Sequence, residues 1–305
     1  MTLQQLRYVL TIADAGSFNK AAQILYVSQP SLSNAVKDLE KEFSISIFHR
    51  SGHGVTLTND GAEFLLYARQ VYHQYEQLQE KYSGAETVKK KFGVSAQHFS
   101  FAVKAFAELV NSYDTAEYEF AVRETKTREV IDDVANLRSE IGILFLSDFN
   151  RPVLTKLFRS NRLEFHKLID CNSYVYLWRE HPLAKKKSIR FSDLAGYPNL
   201  SFEQGDNDSF YFAEELFSQN EYPRSIKVSD RATVLNLMVG LGGFILCSGI
   251  ICEELNGSDY VAIPFEGSRG PMEIGYLTRK DGRLSRVGER YIEELRKYLN
   301  ASKVE

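Results

Sequence analysis

Cysteine is scarce in these 305 residues. Cys171, Cys247 and Cys252 are the full complement, and they lack metal-site spacing. Three such thiols suit a reducing cytoplasm, and the apolar surroundings of Cys247 point to core packing. No apolar run reaches the length of a membrane span, and Met1 leads directly into a helical pattern rather than a secretory signal. A cytoplasmic location with no membrane partner is therefore expected. An excess of one charge is also missing: 37 Lys and Arg face 40 Asp and Glu, a net −3. Composition alone would not reveal a polyanionic partner. Enzyme signatures are absent too. Gly240-Leu241-Gly242-Gly243 lacks the spacing of a dinucleotide fingerprint, and there is no phosphate-binding loop. No catalytic residue, metal or cofactor is expected, and the chain does not read as an enzyme.

The stretch SFNKAAQILYVSQPSLSNAVKDLEKEF, Ser17 to Phe43, reads as two short helices joined by a tight turn. Ser17 and Ser28 are placed to cap them, each side-chain oxygen accepting from an otherwise unpaired backbone N–H. Ala21 and Ala22 leave room for a crossing helix. Leu32, Val36, Leu39 and Phe43 form one stripe at helical period. The opposite face carries Gln29, Pro30, Ser33, Asn34 and Lys37, small and polar enough to enter a DNA groove. Helix-turn-helix proteins set such a face in the major groove, N-terminal residues nearest the base edges. A helical hairpin with a solvated face is the plainer alternative for this window. Upstream, Leu3, Leu6, Leu10 and Ala13 mark a first helix. Downstream, FHRSGHGVTLTNDG (Phe48 to Gly61) reads as two strands about a glycine-rich tip, a wing with Arg50 and His53 toward the phosphate backbone or minor groove.

Residues 1–58 resemble the winged helix-turn-helix of the LysR-type transcriptional regulators. The match rests on Gly16-Ser17-Phe18, Ala21-Ala22, Ser28-Gln29-Pro30-Ser31-Leu32-Ser33, Leu39-Glu40, Phe48, Arg50, Val55-Thr56-Leu57-Thr58 and Asp60-Gly61. The resemblance implies contact with double-stranded operator or promoter DNA through Ser17, Ser28, Gln29, Pro30, Ser31, Ser33, Asn34, Lys37, Arg50 and His53. His53 stands where the family usually carries a second wing arginine, and a neutral imidazole makes a weaker phosphate contact. In residues 1–58, Arg7, Lys20, Lys37, Lys41 and Arg50 oppose Asp14, Asp38, Glu40 and Glu42, leaving only +1. One copy should bind DNA weakly, because non-specific affinity scales with the phosphates neutralised. Paired copies on spaced half-sites would compensate.

A means of pairing follows directly. Phe64, Ala68, Val71, Tyr75, Leu78 and Tyr82 alternate steps of four and three residues, a narrow heptad stripe that ends near Gly84. A stripe this narrow suits a two-helix seam better than a broad core. A helix packed on its own domain is the other reading. The matching LysR-type segment is a linker helix pairing two DNA-binding domains, which implies dimerisation through Phe64, Val71, Tyr75 and Leu78 in residues 59–88.

Beyond the basic hinge Lys89-Lys90-Lys91 the pattern becomes α/β. Strands are expected at Phe92–Ala96, Tyr118–Val122 and Ile141–Leu146, with helices on Phe99, Val103, Phe106 and Val110 and on Val130, Ile131, Val134 and Leu137. Solid apolar strands alternating with helices argue for a covered parallel sheet. Further strands read at Phe165–Ile169, Tyr174–Trp178, Asn199–Phe202, Ile226–Ser229, Phe244–Cys247, Tyr260–Ile263 and Met272–Thr278. Helices read around Phe210 to Gln219, over Ala232–Val239, and on Val287, Tyr291, Leu295 and Leu299. This is too much chain for one small core and suits two lobes, residues 89–160 with 268–305 forming the first and 161–267 the second.

In open α/β sheets ligands bind at the carboxyl ends of strands, beside helix N-termini. The junctions here are Ser95-Ala96-Gln97-His98 with Ser100, Glu124-Thr125-Lys126-Thr127, Ser201-Phe202-Glu203, and Ser229-Asp230-Arg231. Candidate effector contacts are Ser95, Gln97, His98, Ser100, Thr125, Thr127, Ser201, Phe202 and Ser229, although a Ser or Thr at such a junction also serves as an N-cap. Neutral donors at positive helix ends favour a small anionic or zwitterionic molecule, while Glu124 or Glu203 would suit an ammonium group.

The LysR resemblance extends loosely over residues 89–300 through His181-Pro182-Leu183-Ala184, Asp193-Leu194 and Gly240 to Gly243, with Glu140 where aspartate is common. It implies a periplasmic-binding-protein-like, two-lobed effector domain. The implied whole is an α/β chain with an N-terminal winged helix-turn-helix, a linker helix and an effector domain. Its expected partners are DNA, a small-molecule effector, further copies of itself as homodimer or homotetramer, and RNA polymerase. A thiol-based redox-responsive regulator of the same family and a metabolite-binding protein without DNA are the alternatives.

Overall fold

The computed structural model describes residues 1–51, 54–82, 90–113, 117–205, 209–267, 271–280 and 282–301. The chain forms two compact units, Met1–Val88 and Lys89–Glu305.

The first unit is α1 (Leu3–Ala15), α2 (Phe18–Leu25), α3 (Gln29–Phe43), β1 (Phe48–Ser51), β2 (Gly54–Leu57) and α4 (Asn59–Tyr82). Thr2 caps α1 with Gln5 in reciprocal capping bonds, and Ser17 and Ser28 cap α2 and α3 as expected. Gly16 ends α1 in the left-handed region, φ 63°, and its carbonyl accepts from Val55 N–H at 3.1 Å, fixing β2 against the α1–α2 turn. Leu32, Val36 and Leu39 are fully buried with Val9, Ile12, Phe18, Ala21, Ala22 and Leu65. Phe43, expected in that stripe, is half exposed and meets the Phe64 ring at 5.5 Å. Of the expected α1 stripe, Leu6 is buried, Leu10 and Ala13 pack half-buried against the core and Leu3 is exposed, while Tyr8, Val9 and Ile12 complete the buried face. Among the stripe residues of α4, Ala68 is buried in its own unit, whereas Val71 and Leu78 are exposed.

In the second unit, five strands form one sheet in the order β4 (Tyr118–Glu124), β3 (Lys90–Ala96), β5 (Ile141–Leu146), β13 (Met272–Arg279), β6 (Leu163–Cys171). Helices α5 (Ser100–Asn111), α6 (Thr127–Ala135) and α7 (Arg151–Ser160) follow β3, β4 and β5, and α11 (Arg286–Ala301) follows β13. The expected parallel arrangement holds for β3, β4 and β5, and the sheet becomes mixed where β13 runs antiparallel to both β5 and β6. The expected lobe boundary moves as well. Strand β6, expected in the second lobe, pairs with β13 along its length, so the first lobe includes Leu163–Cys171.

The second lobe holds β7 (Tyr174–Trp178), β8 (Ile189–Arg190) with the short α8 (Phe191–Leu194), β9 (Asn199–Phe202), β10 (Ser225–Val228), α9 (Arg231–Leu241), β11 (Ile245–Cys247), α10 (Glu253–Asn256) and β12 (Tyr260–Glu266). Its larger sheet runs β11, β7, β12, β8, and β9 pairs in parallel with β10.

Two helix readings change. On α5 the buried face is Phe101, Ala102, Ala105 and Leu109, rotated from the expected stripe. The expected helix at 210–219 is only a 3₁₀ turn, Phe210–Phe212, followed by extended backbone at Ala213. There, two consecutive glutamates turn inward to separate backbone donors, His98 N–H at the β3–α5 junction and Phe202 N–H on β9, which one helical face does not allow, since neighbouring residues point about 100° apart. The terminal helix is as expected, with Val287, Tyr291, Leu295 and Leu299 buried. Glu140 caps it: its carboxylate accepts from Ser285 N–H at 2.6 Å and from the Ser285 hydroxyl at 2.8 Å.

Candidate nucleic-acid interface and effector cleft

The exposed face of α3 comes from its cap and its packing. Ser28 Oγ accepts from Ser31 N–H at 3.2 Å and lies 2.7 Å from Ser31 Oγ, which fixes the first turn. With Leu32, Val36 and Leu39 turned inward, Pro30, Ser31, Asn34 and Lys37 face outward and Gln29 is half-buried. Ser33 differs from its expected place. It is buried, and its hydroxyl accepts from Arg50 Nη1 at 2.8 Å while the Arg50 guanidinium lies 4.0 Å over the Phe18 ring. Arg50 thus ties the wing strand to α2 and α3 instead of standing free. Ser17 Oγ accepts from Lys20 N–H at 3.5 Å. His53 lies outside the described residues. Sequence reading passed over Tyr26, which is 96% exposed in a left-handed turn between α2 and α3.

In the second unit the strand-end candidates separate into two groups. Gln97, His98, Ser100, Thr127 and Phe202 come together between the lobes. Buried Gln97 accepts from Phe145 N–H at 3.1 Å and donates to Thr127 Oγ1 at 2.6 Å. Thr127 Oγ1 donates to the Phe212 carbonyl at 2.7 Å, and Thr127 N–H donates to Gln204 Oε1 at 3.0 Å. His98 stacks on Phe202, centroids 3.8 Å apart. Ser100 Oγ accepts from Cys252 N–H at 3.4 Å.

The others are engaged elsewhere. Ser95 is fully buried, donating to Asp133 Oδ2 at 2.6 Å and lying 2.8 Å from Ser139 Oγ, so it braces β3 to α6. Thr125 donates to Glu129 in the first turn of α6. Ser201 is half-buried beside Phe202, and Ser229 is exposed.

Acidic residues complete the cleft. Glu214 Oε2 accepts from His98 N–H at 2.8 Å and lies 2.9 Å from His98 Nδ1. Glu215 Oε1 accepts from Phe202 N–H at 2.8 Å. Burial first, and then the charge of Glu214, push the Glu215 carboxyl up to about 8. Across the same gap Arg231 Nη2 meets Glu124 Oε2 at 3.0 Å, while Arg231 Nη1 and Glu124 Oε1 are buried without hydrogen-bond partners. A cavity of about 80 Å³ is bounded by His98, Phe202, Glu214 and Arg231 among others, and a neighbouring one of about 360 Å³ lies beside Phe145, Phe149 and Phe217. The one sequence signal for the two glutamates was their adjacency inside an aromatic segment, FYFAEELF, and a helical reading hid it.

The thiols are buried or half-buried, and burial pushes Cys247 up to about 11. Among the described residues no cluster of His, Cys, Asp and Glu suits a metal ion, and no helix is long and apolar enough to cross a membrane.

Comparison with known proteins agrees with this two-unit architecture. Residues 3–62 match the model of the bacterial regulatory helix-turn-helix protein, lysR family, and residues 95–300 match the LysR substrate binding domain. The HTH-type transcriptional regulator CysL of Bacillus subtilis is 27% identical over 259 residues, covering 82% of each chain. Full-length OxyR from Pseudomonas aeruginosa shares the fold, with a TM-score of 0.69 at 22% identity over 97% of this chain and 98% of its own. So does the regulator CbnR in complex with its target DNA, with a TM-score of 0.57 at 19% identity over 98% of this chain and all of its own. The chain belongs to the LysR family of transcriptional regulators, with an N-terminal DNA-binding domain and a C-terminal effector-binding domain.

Proposed function

We propose that the exposed N-terminal half of α3 reads base edges in the major groove of double-stranded DNA. Asn34 and Lys37 with Gln29, Pro30 and Ser31 form the contact surface, and Ser17, Ser28, Ser33 and Arg50 hold that surface in place. The observation that carries this reading is the sidedness of α3: Leu32, Val36 and Leu39 are sealed in the core while Pro30, Ser31, Asn34 and Lys37 face outward. His53 remains a candidate wing contact. Exposed Val71 and Leu78, with Phe64 and Tyr75, pair α4 with the α4 of a second copy, as dimer or as half of a tetramer.

The cleft takes a small anionic or zwitterionic effector. It shifts the balance between arrangements of the oligomer only by binding them with different affinity. The regulator acts in the cytoplasm, on RNA polymerase at its promoters, and is not an enzyme. Thiol control at Cys247 is disfavoured, because its surroundings push the half-buried thiol up to about 11.

The test is competition between a selected operator and random duplex at fixed salt. Asn34→Ala should lower the operator-to-random ratio about tenfold or more while leaving the salt dependence unchanged, because base contacts specify and phosphate contacts position. Ser33→Ala should weaken both duplexes alike, through a loosened Arg50. An unchanged ratio for Asn34→Ala would remove α3 from the interface.

A further inference from the structure

Segment 209–219 enters the cleft between the lobes and delivers a carboxylate to it. The Glu214 side chain is only 4% exposed, and its partner imidazole on His98 is 6% exposed. Glu214 Oε2 accepts from the His98 backbone N–H at 2.8 Å and faces His98 Nδ1 at 2.9 Å, while Oε1 accepts from Gln204 Nε2 at 2.9 Å. A carboxylate opposite Nδ1 requires the proton on that nitrogen. The ring cannot swing away freely, because its face lies on Phe202 with 4° between planes. His98 belongs to the first lobe, at the β3–α5 junction, and Gln204 to the second, after β9. Donors from both lobes therefore converge on one anion, as they would on the carboxylate of a free ligand.

We propose that Glu214 is an internal ligand. The chain's own carboxylate fills a carboxylate-binding site that spans the cleft, holds the lobes together without effector, and must be displaced by the carboxylate of any anionic effector. The last clause rests on the effector reading above; the occupancy does not. The space left beside Glu214, about 80 Å³, is well below the ~300–1,000 Å³ of ordinary ligand pockets. A metabolite-sized acid thus reaches the His98 and Gln204 donors only as segment 209–219 withdraws, because the neighbouring cavity of about 360 Å³ does not present them.

Replacing Glu214 by alanine removes the atoms of an acetate ion, which makes acetate the probe. In the full chain, Glu214→Ala should lower the thermal midpoint of the effector-binding unit by about 5 °C. Acetate at constant ionic strength should restore at least half of that loss, and acetamide none. Wild type should gain nothing from acetate, and adding His98→Ala should abolish the response. Glu214→Gln keeps the volume and should lose stability without responding to acetate. The proposal is overturned by a folded Glu214→Ala that ignores acetate, by equal acetate shifts in wild type and variant, or by a Glu214→Gln midpoint equal to wild type. The last comparison decides the matter if the alanine variant does not fold. Acetate rescue in a chain that no metabolite stabilises would keep the internal ligand and refute small-molecule control. A carboxylate metabolite stabilising wild type and Glu214→Ala equally would do the reverse.

Discussion

Glu215 is a carboxyl whose surroundings reverse its usual charge state. Burial raises it first, and the Glu214 charge adds to that, against the Phe202 N–H and the more distant Lys227. The unfolded chain releases this proton near 4.5 and the folded chain near 8. Between those values the native state binds the extra proton, so stability falls as pH rises, being fully present below 4.5 and lost above 8. Urea unfolding of the wild type from pH 5 to 8.5 should show a midpoint that declines with pH from this source, and Glu215→Gln should remove that component. An identical pH dependence in the two proteins would show that Glu215 is ionised in the fold. The residue scale is also where sequence reading reached least far. Ser33 and Ser95 were singled out by position in a motif or junction, yet a hydroxyl is read as a contact or a brace only once its partner is known. Those partners, Arg50 and Asp133, lie 17 and 38 residues away.

At the scale of elements, periodicity and capping carried far. Strands β5, β7 and β9 and the buried seam of α11 stand where apolar pattern places them, because one face or both must be dry whatever the neighbours are. What periodicity does not contain is strand direction, so the antiparallel β13 and the lobe assignment of β6 were out of reach. The 210–219 segment failed for another reason. Its aromatic and acidic residues fit a helix locally, and tertiary acceptors and donors overrode that preference. One close approach between elements supplies a test. A Cβ on Gly61, in the first turn of α4, would stand 2.0 Å from the Ile47 carbonyl oxygen, where backbone must give way. Gly61→Ala should destabilise the DNA-binding unit by about 2 kcal/mol or more in chemical denaturation. A change below about 0.5 kcal/mol would mean that α4 does not press on that loop.

For the whole molecule, the small +1 of residues 1–58 makes multivalency a requirement of tight binding. Val71 at 44% and Leu78 at 56% exposure are large apolar groups on an otherwise polar helix. Val71→Asp with Leu78→Asp should shift sedimentation toward monomer and weaken operator binding roughly a hundredfold, the avidity of a linked second site. A double variant that sediments and binds as wild type would place the seam elsewhere. The heptad spacing is what raises this pairing as a proposal from the sequence, and the exposure of Val71 and Leu78 supports it.

Base-preference selection from a pool of randomised duplexes, run on wild type and on a chain with Gln29, Ser31 and Asn34 changed to alanine, tests the reading of α3 most directly. Wild type should enrich a two-fold-related pair of half-sites, and the variant should bind the pool with no enrichment at those positions. The same half-sites enriched by both proteins would contradict it, because the bases would then be read by some other part of the molecule.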